Sequence, residues 1–293
     1  MTPTDVQNQR IEGGFKLTRV GVTGVKKPVN VLRNGRNLTL TATFDLFVDL
    51  PSDQRGSHMS RNLEVVGEIV DESLEKPVSA IEDLAAQITE KLLKRHEYAT
   101  CAEARIRADY FMEKRTPGGR KTIEAYRIEG HAINREGRVE RYIGVQVIGM
   151  SACPCAMETL RAMLLEEYPE FDECIREIPI ITHNQRNIVT IKMQIPEGYS
   201  VEAENLIEIA EKSLSSPTFE VLKRDDEGRV VYEAHVNPKF VEDVVRDALH
   251  LIVERYRDFP DETSVSVKSE SEESIHKHNA FAERTTTFGE LRE

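Results

Sequence analysis

The stretch NLTLTATFDLFVDL, residues 37–50, decides the fold class of this chain. Apolar side chains occupy every second position from Leu38 to Leu50, and most positions between them hold threonine or aspartate. Because successive side chains of a strand point to opposite faces of the sheet, this pattern predicts a long strand with one buried face. A break in the pattern follows, from Pro51 to Ser57.

Three more alternating stretches lie downstream and are separated by short turns rather than by helices. They are CAEARIRADYFM (101–112), TIEAYRIEGHAI (122–133) and VERYIGVQVIGM (139–150). The turns are TPGGRK, which contains a glycine pair, and INREGR. This arrangement predicts long antiparallel hairpins and not short β-α-β units.

Helical patterns lie between and after these strands. Pro77 opens the first predicted helix, near its first turn. The apolar stripe of that helix consists of Val78, Ile81, Ala85, Ile88 and Leu92. Three further helices are predicted at about 156–168, at about 201–214 and after Pro238, the last with Phe240 and Val244 among its inward residues.

The second half of the chain also carries strand patterns. NIVTIKMQI (187–195) alternates, a strand-like pair flanks RDDEGR (224–229), and SVSVKSES (264–271) is the last predicted strand. Strands joined by antiparallel turns, with helices grouped between them, favour the α+β class. No low-complexity linker separates the halves, so we expect them to share one sheet system.

Length and composition restrict the class of protein. A chain of 293 residues suffices for about two domains. With 39% hydrophobic and 31% charged residues, and no apolar run near the ~18 residues of a membrane span, it is typical of a soluble globular protein. The net charge of −12 argues against a broad nucleic-acid surface. The N-terminal residues lack an apolar signal segment, so we expect a cytoplasmic protein that binds neither nucleic acid nor membrane.

Two of the four cysteines, Cys153 and Cys155, stand in MSACPCAMETL (150–160), where a predicted strand meets a predicted helix. The pair is open to four interpretations: a disulfide, a redox dithiol, half of a metal site, or two buried small apolar residues. Structural disulfides are rare in the cytosol, and redox pairs usually read C-x-x-C. A metal ligand or a nucleophile is then the sharper interpretation, and burial remains the alternative.

Polar motifs beside predicted strand ends supply further candidates. They are RGSHMSRN (55–62), ITHNQRN (181–187) and SEESIHKHNAFAE (271–283), and in an extended segment His276 and His278 would face the same side. Cysteine, histidine and carboxylate together are ligands for Zn²⁺ or Fe²⁺. Three such ligands with one open position would activate water, although a lone histidine is more often a surface or core residue. The phosphate loop, the dinucleotide-binding glycine turn and the serine-hydrolase elbow are absent from the sequence.

Taken in order, these motifs resemble the type IB GTP cyclohydrolases, and within that family the archaeal branch that serves methanopterin synthesis. The matching segments are GSHMSR (56–61), CPC (153–155), THNQR (182–186), FVED (240–243) and ESIHKHNAFAE (273–283). The resemblance implies tandem tunnelling-fold modules, antiparallel sheets backed by helices, with residues 1–150 as the first module and 151–293 as the second. It also implies a homo-oligomer, a dimer or a tetramer, with active sites at subunit interfaces.

The resemblance also implies roles for individual residues. The implied metal ligands are Cys153, His183 and a carboxylate, for which Glu227 is chosen over its neighbours Asp225 and Asp226. The implied catalytic residues near the reacting purine are Cys155, His276 and Glu273, and the roles of the two cysteines could be exchanged. The implied substrate-binding residues are Glu242 at the guanine edge, with Arg55, His58, Arg61 and Arg186, the arginines serving phosphates.

The implied reaction converts GTP to 7,8-dihydroneopterin 2′,3′-cyclic phosphate, formate and diphosphate. The implied metal is Fe²⁺, while mixed sulfur, nitrogen and oxygen ligands also admit Zn²⁺ or Mn²⁺. Three alternatives remain open: a cyclohydrolase that yields dihydroneopterin triphosphate, a non-catalytic metal-binding or metal-delivery protein, and a structural oligomer whose cysteines are merely buried.

Overall fold

The computed structural model describes residues 5–33 and 36–293 of the chain. Within these residues, nine strands form one antiparallel sheet that is backed by eight α-helices. The strands are β1 (Leu17–Arg33), β2 (Arg36–Leu50), β3 (Cys101–Arg115), β4 (Lys121–Arg135), β5 (Arg138–Ala152), β6 (Asn184–Ile195), β7 (Ser216–Pro217), β8 (Ser264–Ser271) and β9 (Ala280–Thr287). Their order is β1-β2-β3-β4-β5-β6-β8-β9, with β7 paired to β5, which confirms the α+β class and the shared sheet system.

The helices are distributed between and after the strands. They are α1 (Met59–Glu75), α2 (Ile81–Arg95), α3 (Pro154–Glu167), α4 (Asp172–Glu177), α5 (Ala203–Ser213), α6 (Arg224–Val236), α7 (Val241–Arg255) and α8 (Phe288–Arg292), with a short 3₁₀ turn at Pro169–Phe171. None of the helices formed by the described residues has the length and hydropathy of a membrane-spanning segment.

The chain divides into two compact units. Unit 1 comprises Met1–Tyr110, Arg127–Gly144 and Gln194–Gly198, and unit 2 comprises Phe111–Tyr126, Val145–Met193 and Tyr199–Glu293. The assignment of a tunnelling-fold module to each of residues 1–150 and 151–293 stays a prediction.

The strand predicted from residues 37–50 is β2, at the centre of unit 1. It pairs antiparallel with β1 on one side and with β3 on the other. Its inward face is buried from Leu40 to Leu50, with Phe44 and Leu46 fully buried, whereas Leu38 at its start is 37% exposed. The predicted one-sided burial is confirmed, because alternate positions of β2 lie against the apolar side chains of unit 1.

Two features of unit 1 differ from the prediction. The strand β1 and the helix α1 were not predicted, although α1 buries Val65, Val66 and Ile69 at helical spacing. The helix predicted to open at Pro77 begins at Ile81 instead, with Ala80 as its N-cap. Val78 lies outside the helix because its backbone pairs with the strand residue Val31.

The predicted hairpins are confirmed, and their turns have the expected backbone conformations. Gly119 has φ of +80° in the turn between β3 and β4, and Glu136 and Gly137 have φ of +53° and +90° in the turn between β4 and β5. Two consecutive residues with positive φ are what a tight hairpin turn requires, and glycine adopts this region without a steric penalty.

In unit 2, the sheet is formed by antiparallel pairs of β6 with β8 and of β8 with β9. Val189, Ile191 and Met193 of β6 are fully buried, as are Val244 and Ile252 of α7. The predicted helices near 156–168, 201–214 and after Pro238 are confirmed as α3, α5 and α7. Phe240 is the N-cap of α7 and is 43% exposed, so it does not lie inside that helix as predicted.

Two strand predictions in unit 2 were wrong. RDDEGR does not join two strands but opens α6, whose first turn holds Asp225, Asp226 and Glu227. Carboxylates are favoured at helix N-termini, and this preference outweighed the turn signal of Gly228. SVSVKSES is the strand β8, but it is not the last strand because β9 follows it.

Candidate active site

The structure places Cys153 and His183 side by side in unit 2. The backbone amide of Cys153 donates to the carbonyl oxygen of His183 at 3.4 Å, where the end of β5 meets the residues before β6. Both residues are half-buried. Two of the three predicted metal donors are therefore neighbours in the folded chain.

The local structure explains the position of Cys153. It is the N-cap of α3, and its Sγ accepts a hydrogen bond from the backbone amide of Ala156 at 3.4 Å. Pro154 occupies the first helical position, where the missing N–H is not needed and the fixed φ suits the helix. Cys155 is exposed, and the four cysteines of the chain, all within the described residues, are free. Neither cysteine of the CPC motif is buried in this chain.

The helix α6 fixes the other side of this junction. His235 is 1% exposed, with Nε2 3.1 Å from the carbonyl oxygen of Thr182 and Nδ1 2.7 Å from that of Val231. His235 thus anchors the residue directly before His183. Sequence reasoning missed it, because it belongs to no motif and a basic residue in the last turn of a helix has an ordinary role there.

The ring of His183 retains hydrogen-bonding capacity. Within the described part of the chain, this ring makes one hydrogen-bond contact, in which its Nδ1 lies 3.5 Å from the hydroxyl oxygen of Thr182. That distance is at the limit for a hydrogen bond. A half-buried imidazole with so weak a partner is available to bind a ligand.

The predicted catalytic carboxylate Glu273 lies next to the beginning of β6. The side-chain amide of Gln185 donates to Glu273 Oε1 at 3.1 Å, and the backbone amide of Glu272 donates to the carbonyl of Arg186 at 2.8 Å. Glu273 is thereby held beside Gln185, which follows His183 by two positions in the chain. Gln185 belongs to the THNQR motif, but the sequence assigned it no role.

The other predicted residues of this region are exposed. The rings of His276 and His278 stack with centroids 5.1 Å apart and an interplanar angle of 13°, which confirms that they face the same side. Residues 274–278 form bends and not an extended strand, because the chain turns there between β8 and β9. Arg186 is exposed at the start of β6.

The donor chemistry at the junction fits a divalent transition metal. Thiolate and imidazole are ligands that Zn²⁺ and Fe²⁺ accept, and Cys153 and His183 supply one of each. Across residues 5–33 and 36–293, no three His, Cys, Asp or Glu side chains of one chain converge into a metal-binding group. Within the described residues, one chain thus brings the predicted donor residues Cys153 and His183 together through their backbones, and the role of Glu227 stays a prediction.

Glu227 is exposed in the first turn of α6, and its neighbour Asp226 anchors that turn. Asp226 is 3% exposed, and its Oδ1 accepts a hydrogen bond from the backbone amide of Gly118 at 2.6 Å. A Cβ at Gly118 would stand 2.4 Å from the same oxygen, so a larger residue there would displace the Asp226 carboxylate from this position. The hairpin turn between β3 and β4 thus holds the end of α6 that carries Glu227.

Glu242 lies in the first turn of α7 and lines a groove of about 720 Å³ in unit 2. The walls of the groove come from α7, β9 and α8 and include the polar side chains Arg246, His250, Glu254 and Arg284. Glu242 is exposed, so its carboxylate is accessible to a ligand. The volume is in the range of pockets that bind small molecules.

The remaining predicted substrate-binding residues lie in unit 1, on the loop that precedes α1 and in the first turn of α1. Arg55 is exposed and donates to Gln9 Oε1 at 2.7 Å, and Arg61 donates to the carbonyl of Arg95 at 2.9 Å. The Nε2 of His58 lies 3.0 Å from Asp5 Oδ1, while its Nδ1 is buried and has no hydrogen-bond partner among the described residues.

A buried network holds this loop in place. His96 is fully buried, with Nε2 2.8 Å from Asn62 Oδ1 and Nδ1 2.9 Å from the hydroxyl of Tyr98. That hydroxyl lies 2.7 Å from the hydroxyl of Ser57, which is part of the GSHMSR motif. Burial lowers the pKa of His96 to about 4, with the positive charge of Arg61 adding to the effect. The imidazole is therefore neutral and connects the motif to the core.

The sequence of the chain is similar to those of archaeal GTP cyclohydrolases. It is 46% identical over 288 residues to GTP cyclohydrolase MptA of Methanothermobacter thermautotrophicus, a match that covers 94% of this chain and 91% of that protein. It is 42% identical over 300 residues to GTP cyclohydrolase MptA 2 of Methanocella arvoryzae, covering 98% and 97% of the two chains.

The fold is similar to that of uricase. The crystal structure of uricase from Arthrobacter globiformis superposes with a TM-score of 0.54 at 7% sequence identity, covering 96% of each chain. A hyper-thermostable mutant of AgUricase gives a TM-score of 0.51 at 7% identity, covering 94% and 93%. These neighbours confirm the tunnelling fold. The family model of Type I GTP cyclohydrolase folE2 matches residues 4–282, and so the chain belongs to the type I GTP cyclohydrolases, a family of enzymes.

Proposed function

We propose that this chain is a metal-dependent cyclohydrolase of methanopterin-type pterin synthesis, which converts GTP to 7,8-dihydroneopterin 2′,3′-cyclic phosphate, formate and diphosphate. The observation that carries the proposal is the junction of Cys153 and His183, whose backbones meet at 3.4 Å. Membership of the family supports GTP as the substrate. Similarity to proteins named MptA supports the archaeal type of product.

The cation supplies one part of the chemistry. Bound by Cys153 and His183, Fe²⁺ or Zn²⁺ would lower the pKa of a water from ~15.7 toward ~7 and so provide a nucleophile for C8 of guanine. Glu227 is the proposed third donor, and in a homo-oligomer it can come from a second copy of the chain. This arrangement is consistent with the finding that the described residues of one chain hold no group of three or more such ligands.

The protein side chains move protons during the two hydrolytic steps. His276 protonates the ring nitrogen that leaves C8, and Glu273 orients it; an imidazole suits transfer in both directions because its usual pKa is ~6.5. Cys155 contacts the reacting purine or the cation from its exposed position. Two waters are consumed as C8 leaves as formate, and one is released when the pterin ring closes.

Recognition of guanine is assigned to Glu242. Its carboxylate would accept two N–H donors from the guanine edge, and an adenine would leave that carboxylate without these bonds. Arg55, Arg61 and Arg186 bind the phosphates, for which guanidinium groups are suited, and His58 is a further substrate-binding residue. A hydroxyl of the pterin's side chain then attacks the α-phosphorus and loses its proton. Diphosphate is displaced, and the cyclic phosphate is formed.

The test is anaerobic incubation of the metal-free protein with GTP, with and without added Fe²⁺. We expect metal-dependent release of formate, and mass spectrometry should identify the cyclic phosphate as the product. Dihydroneopterin triphosphate would instead assign the bacterial type of reaction. Tight metal binding without release of formate would indicate a non-catalytic metal-binding protein. If neither metal binding nor formate is detected, a structural oligomer is the remaining alternative.

A further inference from the structure

The segment between Cys153 and His183 leaves the sheet and packs largely on itself. It contains α3, the 3₁₀ turn and α4, and we call residues 154–182 the helical excursion. Its small core consists of Met157, Ile175 and Ile180, against which Leu160, Leu164 and Leu165 pack. The residues that flank the excursion, Cys153 and His183, are the two predicted metal donors that meet at the junction.

Arg161 of α3 closes the excursion through backbone contacts. Its Nη1 donates to the carbonyl of Ile175 and lies 3.2 Å from the carbonyl of Arg176 and 3.1 Å from that of Ile178. These are carbonyls at the C-terminal end of α4, where a helix has no internal donors left for them. The Arg161 side chain is 17% exposed, so this contact is largely shielded from water.

The return of the chain toward the sheet is fixed at successive points after this contact. Ile178 is held by Arg161, Ile180 is buried in the small core, and Thr182 is held by His235. His183 then accepts the hydrogen bond from Cys153. Because only four residues separate Ile178 from His183, we expect a displaced carbonyl at Ile178 to move the backbone of His183 relative to Cys153.

We propose that Arg161 is a positioning residue for the metal donors: by binding the last carbonyls of α4 it holds His183 beside Cys153. This inference rests on the proposed function, since it assigns the metal site to that junction. Arg161 touches neither donor and acts through the backbone of residues 175–178.

The experiment compares Arg161→Ala and Arg161→Lys with a matched control, Arg176→Ala. Arg176 lies on the same excursion, but its side chain binds Asp172 within α4 and does not join α4 to α3. In the metal-free proteins, hydrogen exchange is measured at the amides of Cys153 and residues 178–183. In the same proteins, the zinc dissociation constant is measured by competition with a chelator.

We expect Arg161→Ala to exchange faster at these amides and to bind zinc ~10-fold more weakly, at the lower end of the loss caused by removing a direct partner of a metal ligand, because Arg161 acts through the backbone. Arg161→Lys, which keeps the charge but has fewer donors, should lie between. Arg176→Ala should match the wild type in both measurements. If Arg161→Ala does not fold, Arg161→Lys decides the outcome.

Two results would overturn the inference in distinguishable ways. Faster exchange in Arg161→Ala together with unchanged zinc affinity would reduce Arg161 to a residue that only stabilises the excursion, while leaving the proposed function intact. A wild-type protein that binds no zinc would overturn both the proposed function and this inference.

Discussion

Two histidines, His96 in unit 1 and His183 in unit 2, illustrate opposite uses of the same side chain. His96 is fully buried, and both of its ring nitrogens have partners within 2.9 Å. His183 is half-buried, and its ring is given one contact, at 3.5 Å. The ring of His96 has no hydrogen-bonding capacity left for a ligand. The ring of His183 keeps such capacity, and this residue lies beside Cys153.

We expect the two histidines to contribute to different properties of the protein: His96 to its stability, and His183 to ligand binding. A buried polar group without partners costs free energy, so the network around His96 is completed inside the protein. At the junction of Cys153 and His183, the free capacity is tolerated because both residues reach solvent. We therefore expect changes near His96 to alter stability and changes at the junction to alter metal binding and activity.

The largest expected effect is that of Cys153→Ser. Loss of the thiolate should remove most of the bound metal and reduce the rate of formate release by about 10³-fold, because metal activation of water contributes several kcal/mol. The matched control is Cys174→Ser, since Cys174 is exposed on α4 and should tolerate the change. Full metal content and activity in Cys153→Ser would remove the distinction between the two regions.

A smaller loss is expected for Glu242→Gln. Hydrogen bonds to a charged group contribute about 1.5–3 kcal/mol, so kcat/KM for GTP should fall about 10–100-fold while metal content stays unchanged. Glu254→Gln is the control, because Glu254 lines the same groove on the same helix. Equal effects of the two substitutions on steady-state kinetics would exclude a specific role for Glu242.

The His96 network predicts a pH dependence of stability. The ring titrates near pH 6.5 in the unfolded chain but near 4 in the folded one. As the pH falls from 6.5 to 4, the unfolded state takes up a proton that the folded state does not, and the free energy of unfolding decreases. Between pH 7.5 and 4.5, this effect amounts to about 2–3 kcal/mol.

Urea unfolding of wild type and His96→Gln at these two pH values measures the contribution. The wild type should lose about 2–3 kcal/mol more than the variant. The carboxylates Asp49 and Glu103 do not interfere, because burial opposes their ionisation but hydrogen bonds from Lys16 and His131 outweigh it and lower each pKa to about 2. Most of their contribution is lost only below pH 4.5, and the part lost above that pH is the same in both proteins. Equal total losses in both proteins would contradict the burial of a neutral His96.

The smallest effect concerns the anchor of α6. Asp226→Ala removes the acceptor for the Gly118 amide and should lower the free energy of unfolding by about 1–2 kcal/mol. Asp225→Ala, at an exposed neighbouring position, should change it by less than about 0.5 kcal/mol. Thermal unfolding of both variants tests the contrast, and similar values would show that the contact contributes no stability.

The sequence predicted the parts of the fold in which one periodicity dominates. β2 and the hairpins of β3, β4 and β5 alternate over most of their length, and α7 follows a clear apolar stripe. The helix α6 was mistaken for strands because its hydrophobic pattern is weak and its stability depends on the acidic first turn and the contact of Asp226. Edge strand β9 was missed because few of its residues are buried.

For the site, sequence motifs identified Cys153 and His183 but not what brings them together. The contacts of Arg161 and His235 are made to backbone carbonyls, which every residue has, so they leave no pattern in the sequence. Similarly, the capacity left on His183 depends on burial and on distances to neighbours. Such features follow from tertiary packing and become visible only in the folded chain.

The most direct test of the central claim is X-ray absorption at the zinc edge of the reconstituted protein. The account predicts one sulfur neighbour at about 2.3 Å and nitrogen or oxygen neighbours at about 2.0–2.2 Å, with the sulfur signal lost in Cys153→Ser and a nitrogen signal lost in His183→Ala. A zinc ion surrounded only by oxygen and nitrogen in the wild type, or an unchanged spectrum in both variants, would contradict it.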